Sequence, residues 1–244
     1  MQLLRLQLVQ PPERADRGRA ALDQRPGAGR PIVMHDSNPG HMNYSAGGVT
    51  RNVCENLARL GADVRLVSAV GSDLNGEMIR RECLAAGIDL SQLCIAEGCA
   101  SSTYISILDA HGDMLVALSD MTVLQEHLTP DYLDARTALL QGASIVTCDP
   151  CLPEPTLLHL LDLCEGHTPV YVDPVSTAYA RVLAPHIGRF HTAKPNVLEL
   201  SILAGREIND EASLEAAGQS VLGKGLERLF VSLGKDGCLY MDRS

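Results

Sequence analysis

Apolar residues recur with a helical period at Val49, Val53, Leu57 and Leu60. This spacing predicts a helix that runs from just after Gly47-Gly48 and is ended by Gly61. Residues 64–70 are mostly apolar and predict a buried strand. Gly71-Ser72-Asp73 predicts a turn, and residues 75–86 a helix stopped by Gly87. Strand and helix then keep alternating. Strands are predicted at 143–147, 170–172, 228–233 and 238–241, with a further strand leading to Ala193. Helices are predicted at 154–164, 178–183, 197–204 and 211–222. Thr129-Pro130 adds a helix start, with a cap followed by proline at the first helical position. An alternation of this kind favours a parallel sheet. No internal repeat is visible in the pattern.

One stretch breaks the alternation. Residues 103–109 switch side-chain character at every position, His111-Gly112-Asp113 turns the chain, and residues 114–119 return. A hairpin inside an α/β chain is expected to stand off the main sheet as a lid, here about residues 100–122.

Composition narrows the class. The chain has 244 residues, 45% of them hydrophobic, enough to build a sizeable core. Its formal net charge is -10 and no basic block occurs, which argues against a nucleic-acid partner. Aromatic residues are only 3% and Trp is absent, so a stacking platform for bases is not expected. No run of apolar residues reaches membrane-spanning length. The eight cysteines are scattered through apolar segments and are read as reduced thiols of a cytoplasmic protein. Cys148-Asp149-Pro150-Cys151 has redox or half-zinc spacing, but no second pair completes a metal site, and burial or coincidence is the expected reading. Residues 1–30 mix Arg with Pro, Gln and Gly without a hydrophobic period, and are expected to be a disordered N-terminal segment ahead of a domain at 31–244.

Candidate chemistry gathers at the predicted strand ends, where open parallel sheets bind ligands. Asp173-Pro174 ends one strand, Lys194-Pro195-Asn196 with Glu199 ends the next, and Ser232-Leu233-Gly234-Lys235-Asp236-Gly237 follows another. Asn196 and Glu199 stand three apart at a helix start. They suit Mg²⁺ held through water beside phosphates, and they equally suit a reciprocal helix cap. The segment 232–237 reads as a nucleotide cradle or as a hairpin turn. Gly47-Gly48 reads as a ligand-approach turn at a helix N-terminus, with Asn52 in the first turn, or as an ordinary turn before a core helix.

Taken together, Gly47-Gly48-x-x-x-Asn52, the β-flap, Lys194-Pro195-Asn196-x-x-Glu199 and Ser232-x-Gly234-x-x-Gly237 resemble the ribokinase-type (PfkB) carbohydrate and nucleoside kinases over roughly residues 31–244. Asp36-Ser37-Asn38-Pro39-Gly40 and the flap segment from Asp113 to Met121 are most similar to the pseudouridine kinases of that family. The resemblance implies an α/β fold, a three-layer αβα sandwich with a small β-sheet lid. It implies ATP-dependent phosphorylation of a hydroxymethyl group with Mg²⁺, on pseudouridine or on another sugar or nucleoside. It also implies a small-molecule substrate and a homodimer through the lid. Gly47, Gly48 and Asn52 match the sugar-binding segment, with Asp36 and Asn38 beside it and Thr103 and Asp120 on the lid. Asn196 and Glu199 match the motif that orders Mg²⁺ and phosphate. Lys194, Asn196, Ser232, Gly234 and Gly237 fall at the ATP site.

Two departures from the family pattern stand out. Residues 1–30 carry no recognisable first strand, and the 244 residues contain no Gly-Ala-Gly-Asp segment, the family's anion hole and catalytic base. The family's aspartate is expected to lie beyond Ser244, so the resemblance assigns no catalytic residue within the chain. The fold is therefore expected to be incomplete at both ends, and kinase activity of the chain as written to be low. If a residue already present serves as base, Asp173 and Asp149 are the first candidates. The non-enzyme alternative is a ligand-binding or interaction module.

Overall fold

The computed structural model describes residues 20–22, 33–38, 40–109 and 113–243. They fall into two compact units that divide between His127 and Leu128.

In the first unit, helices α1 (Val49–Arg59) and α2 (Leu74–Ala85) alternate with strands β3 (Ser68–Gly71) and β4 (Leu93–Ala96), which pair in parallel. Cys54, Val64, Leu66, Cys83 and Ile88 form the core, with Leu57, Ala58, Ile79 and Leu93 packed against it. Two expectations change here. Leu60 does not share the buried stripe; it is 84% exposed. It is the C-cap residue, with φ -85 and ψ 0, one past the last helical residue Arg59. The expected strand 64–70 is shorter. Val64 and Leu66 are buried, yet Arg65 makes only an isolated bridge to Asp89 before β3 begins. An apolar run reports burial more reliably than it reports ladder pairing.

The lid is larger than a hairpin. Strands β5 (Thr103–Leu108) and β6 (Met114–Asp120) pair antiparallel, and β5 also pairs in parallel with β1 (Ala20–Leu22), which pairs with β2 (Gly40–His41). The order is β2-β1-β5-β6. β1 lies inside the segment 1–30 that was expected to hold no structure; the remainder of that segment is outside the described residues. A three-residue strand is dictated by its partner β5 and leaves no period of its own in the sequence. The expected turn at 110–112 also lies outside the described residues. Helix α3 (Thr122–His127) closes this unit.

The second unit opens with α4 (Pro130–Asp134), where Thr129 Oγ1 accepts the Tyr132 N–H at 3.2 Å, as its Thr-Pro start predicts. After α5 (Thr137–Gln141) come β7 (Val146–Cys148), α6 (Glu154–Cys164), β8 (Val170–Val172), α7 (Thr177–Leu183), β9 (Thr192–Ala193), α8 (Val197–Ala204), α9 (Glu211–Leu222), β10 (Arg228–Ser232) and β11 (Cys238–Asp242). The sheet order is β11-β10-β9-β8-β7, parallel from β7 to β10, with β11 added antiparallel as a hairpin. Leu157, Leu183, Leu200, Leu203, Val221, Leu229 and Val231 are sealed from solvent against this sheet and one another. Ser244, the residue beyond which the family's catalytic aspartate was expected, lies outside the described residues.

Candidate active site

The carboxyl ends of β8, β9 and β10 bring the expected residues of this unit to one edge. Lys194 N–H donates to the Val172 carbonyl, Ser232 N–H donates to the Pro195 carbonyl, and Asn196 bridges Ser232. The Lys194 ammonium lies 3.0 Å from Asp173 Oδ2, while Asp173 Oδ1 accepts the Val175 N–H at 3.0 Å. Val175 itself has φ 65. That conformation is strained for a β-branched residue, and such strain clusters at functional turns. Asp149, the other base candidate, accepts the Cys151 N–H at 3.1 Å.

Asn196 and Glu199 cap α8 reciprocally, as one of the two sequence readings required. Glu199 is buried, and burial pushes its carboxyl above the ordinary range; the Asn196 N–H bond opposes this, the neighbouring Asp173 charge adds to it, and Lys194 partly offsets it. The edge therefore carries two coupled carboxylates and one nearby ammonium. No group of three or more His, Cys, Asp or Glu among the described residues is arranged to hold a metal ion directly. The donor set thus fits a divalent cation only through intervening water and phosphate oxygens. Segment 232–237 is the turn of the β10–β11 hairpin, with Ser232 paired to Cys238 and Gly234 and Gly237 at φ 61 and 94.

In the first unit, Gly48 occupies the N-cap of α1 at φ 97 and ψ 127, with no side-chain cap. A Cβ there would be strained by the backbone. Gly47 is different: a Cβ on it would meet nothing within 4 Å. Asn52 is exposed in the first turn, its N–H donating to the Gly48 carbonyl. Two polar atoms flanking the glycine pair are buried without a hydrogen-bond partner: Ser45 Oγ and Arg51 Nε. The other guanidinium nitrogens of Arg51 donate to Glu55, which also receives Arg59. Arg59's hydrogen bonds are the main reason the Glu55 carboxyl stays below its usual value. Orphaned buried donors call for an explanation, and a ligand is one.

The remaining expected residues are engaged locally. Asn38 staples its own turn: its amide donates to the Val33 and Asp36 carbonyls, and its Oδ1 accepts the Val33 N–H. Asp36 accepts the Ser37 N–H. Thr103 and Asp120 face each other across the β5–β6 ladder. Asp120 Oδ1 accepts the N–H and hydroxyl of Thr122, which hold its carboxyl below the ordinary range. Sequence reasoning missed Ser45, Arg51 and the Asp73–Ser101 pair at the lid root. Only Asp73-x-x-Gly76, a helix cap pattern with a glycine, offered a signal.

The surroundings of Cys148 and Cys151 argue against a reactive pair. Burial, then the Asp149 charge, drives both thiols upward, Cys151 to about 12. Thiols held in the protonated form are poor nucleophiles and poor ligands. A cavity of about 480 Å³ lies at the opposite, amino ends of β8–β10, lined by His167, Pro169, His191 and Glu227. Its charged rim is self-paired, Arg189 with Asp162 and Glu227 with Arg243.

The profile of the pfkB family carbohydrate kinases matches residues 32–244. The chain belongs to the PfkB family. It is 36% identical over 209 residues to pseudouridine kinase of Escherichia coli K12, covering 86% of this chain and 66% of that protein. It is 38% identical over 197 residues to the uncharacterized sugar kinase YeiI of the same organism, covering 81% of this chain and 54% of YeiI. A solved structure from Clostridium perfringens superposes with a TM-score of 0.75 at 32% identity, over 92% of this chain and 69% of that one. The chain thus spans about two thirds of one curated PfkB relative and about half of the other. The PfkB fold is the ribokinase-like α/β fold expected from the sequence. Among the described residues, no helix is long and apolar enough to cross a membrane.

Proposed function

We propose that this chain carries the nucleoside and ATP sites of a PfkB kinase, and that the whole protein transfers the γ-phosphoryl group of ATP to the 5′-hydroxyl of pseudouridine. The observation that carries the kinase reading is the carboxyl edge of β8–β10. There Asp173, Lys194, Asn196, Glu199 and Ser232 converge, and a desolvated carboxylate stands in need of positive charge. Phosphoryl transfer depends on such positioning and charge neutralisation. The choice of pseudouridine follows the similarity to the pseudouridine kinase across most of the chain.

Each residue has a role its chemistry permits. Lys194 and the 232–237 turn hold ATP phosphates. Asn196 and Glu199 order water around Mg²⁺, which when bound offsets the phosphate charge. Gly47 gives the sugar close backbone approach, and Asn52 offers both a donor and an acceptor to its hydroxyls. Ser45 Oγ and Arg51 Nε gain partners when the segment is occupied. Asp36, Asn38, Thr103 and Asp120 border the same substrate. Exposed Ile105, Ile107, Val116 and Leu118 share one face of the β5–β6 ladder and supply an apolar surface for a lid-to-lid homodimer.

A second reading, a kinase for another sugar, is favoured by the comparable similarity to YeiI. The test measures, on the whole protein, binding and ATP-dependent phosphorylation of pseudouridine, uridine, inosine, ribose and fructose 6-phosphate, with Asn52→Ala as control. Selective binding and phosphorylation of pseudouridine, lost in Asn52→Ala, is the expected result. Equal use of uridine overturns the substrate assignment. Pseudouridine binding without phosphorylation assigns the chain a binding role.

A further inference from the structure

One carboxylate ties the lid to the body of the first unit. Asp73 Oδ1 accepts the Gly76 N–H at 2.8 Å, capping α2, and also the Ser101 hydroxyl at 2.6 Å. Its Oδ2 accepts the Ser101 N–H at 3.0 Å, and Ser101 Oγ accepts the Gly71 N–H at 3.0 Å. Ser101 is 2% exposed, and its carbonyl accepts the hydroxyl of Thr103, the first residue of β5. The surrounding backbone is in direct contact. A Cβ on Gly76 would stand 2.1 Å from the Gly71 carbonyl oxygen, and one on Gly71 would stand 2.1 Å from that of Cys99. Segments 71, 76 and 99–101 are thus packed without room for side chains, and Asp73 supplies the polar bonds that hold them. At the other root, Asp120 fixes the end of β6 to the start of α3.

We propose that Asp73 is a positioning residue for the lid: through Ser101 it sets where β5 leaves the body, and so where Thr103 and the lid stand for substrate. Helix capping alone does not require this residue, since Asn caps a helix as well as Asp. The Ser101 bonds do require it, because three donors converge on two acceptor oxygens. Asparagine would turn an NH₂ group toward one of those donors. The catalytic consequence rests on the proposed kinase reading; the mechanical one does not.

The experiment is hydrogen exchange by mass spectrometry on the free, full chain, comparing wild type with Asp73→Asn and Ser101→Ala. Loss of charge-assisted bonds at the root should speed exchange in residues 103–120 by about tenfold or more. Exchange in α2 should be unchanged in both variants. In the whole protein, kcat/KM for pseudouridine should fall chiefly through KM. Faster exchange of α2 together with the lid would show that Asp73 is a cap only, and unchanged lid exchange would show that the clamp is idle. If Asp73→Asn does not fold, Ser101→Ala, which leaves the α2 cap intact, decides the matter. Absence of turnover in wild type would remove the kinase reading while the exchange result still judges Asp73.

Discussion

Asn196 and Glu199 close a ring of two hydrogen bonds at the start of α8. Asn196 Oδ1 accepts the Glu199 N–H at 2.9 Å, and Glu199 Oε2 accepts the Asn196 N–H at 2.8 Å. The ring needs an acceptor at position 199 but not a charge, and glutamine serves as well in such a box. The charge is costly here: burial, with Asp173 nearby, raises the Glu199 carboxyl, and the Asn196 N–H bond and Lys194 only partly compensate. A carboxyl whose folded pKa is raised destabilises the fold above that pKa and ceases to do so as pH falls toward its unfolded value of about 4.3. Glu199→Gln should therefore be more stable than wild type at neutral pH, with the gap closing on acidification, as read by urea denaturation across pH. The same substitution should weaken Mg²⁺-dependent ATP binding by about 10–100-fold, the usual cost of losing an outer-shell partner. Destabilisation at neutral pH, or unchanged Mg²⁺ dependence, would contradict this.

Gly47 and Gly48 should separate folding from binding. Gly48→Ala forces alanine to φ 97 and should cost about 1–2 kcal/mol of stability. Gly47→Ala places its methyl in open space and should leave the denaturation midpoint within about 0.5 kcal/mol of wild type. Pseudouridine affinity, measured by calorimetry, should nonetheless fall in Gly47→Ala. Undiminished affinity would remove Gly47 from the ligand surface.

The strained Val175 predicts a trade. Val175→Gly should raise stability by about 1 kcal/mol by releasing the left-handed backbone of a β-branched residue. It should lower turnover, because the turn that fixes Asp173 loosens. Denaturation and steady-state kinetics on one preparation of the whole protein test both signs.

Cys151 should resist alkylation although it is partly exposed. With its thiol pushed to about 12, little thiolate exists at pH 8. Mass mapping after iodoacetamide treatment of the native chain should find Cys151 and the buried Cys148 unmodified. Rapid labelling of Cys151 would restore the redox reading of this pair.

What the sequence made legible was local or topological. The Thr129-Pro130 start and the ends at Gly61 and Gly87 are decided within one helical turn. The convergence of Asp173, Lys194, Asn196 and Ser232 follows from strand–helix alternation and the rule that ligands gather at strand ends. What escaped was decided by distant partners. β1 exists because β5 offers it an edge, and β4 because β3 does. Leu60 fits the apolar period but falls one residue past the helix. Ser101 meets Asp73 across 28 residues, a separation no periodicity encodes. The orphaned Ser45 and Arg51 atoms become visible only once burial is known.

The lid is a lever pinned at its base. β5 spans six residues, about 20 Å at the usual strand rise. A rotation of about 10° at the root would carry the tip about 3 Å at that strand rise. On the proposed nucleoside reading, that is the difference between touching the substrate and leaving a water-filled gap. Selection for substrate fit can thus act on buried residues such as Ser101 that never meet the substrate, and changes in substrate preference among related chains should be sought at the fulcrum as well as along the blade.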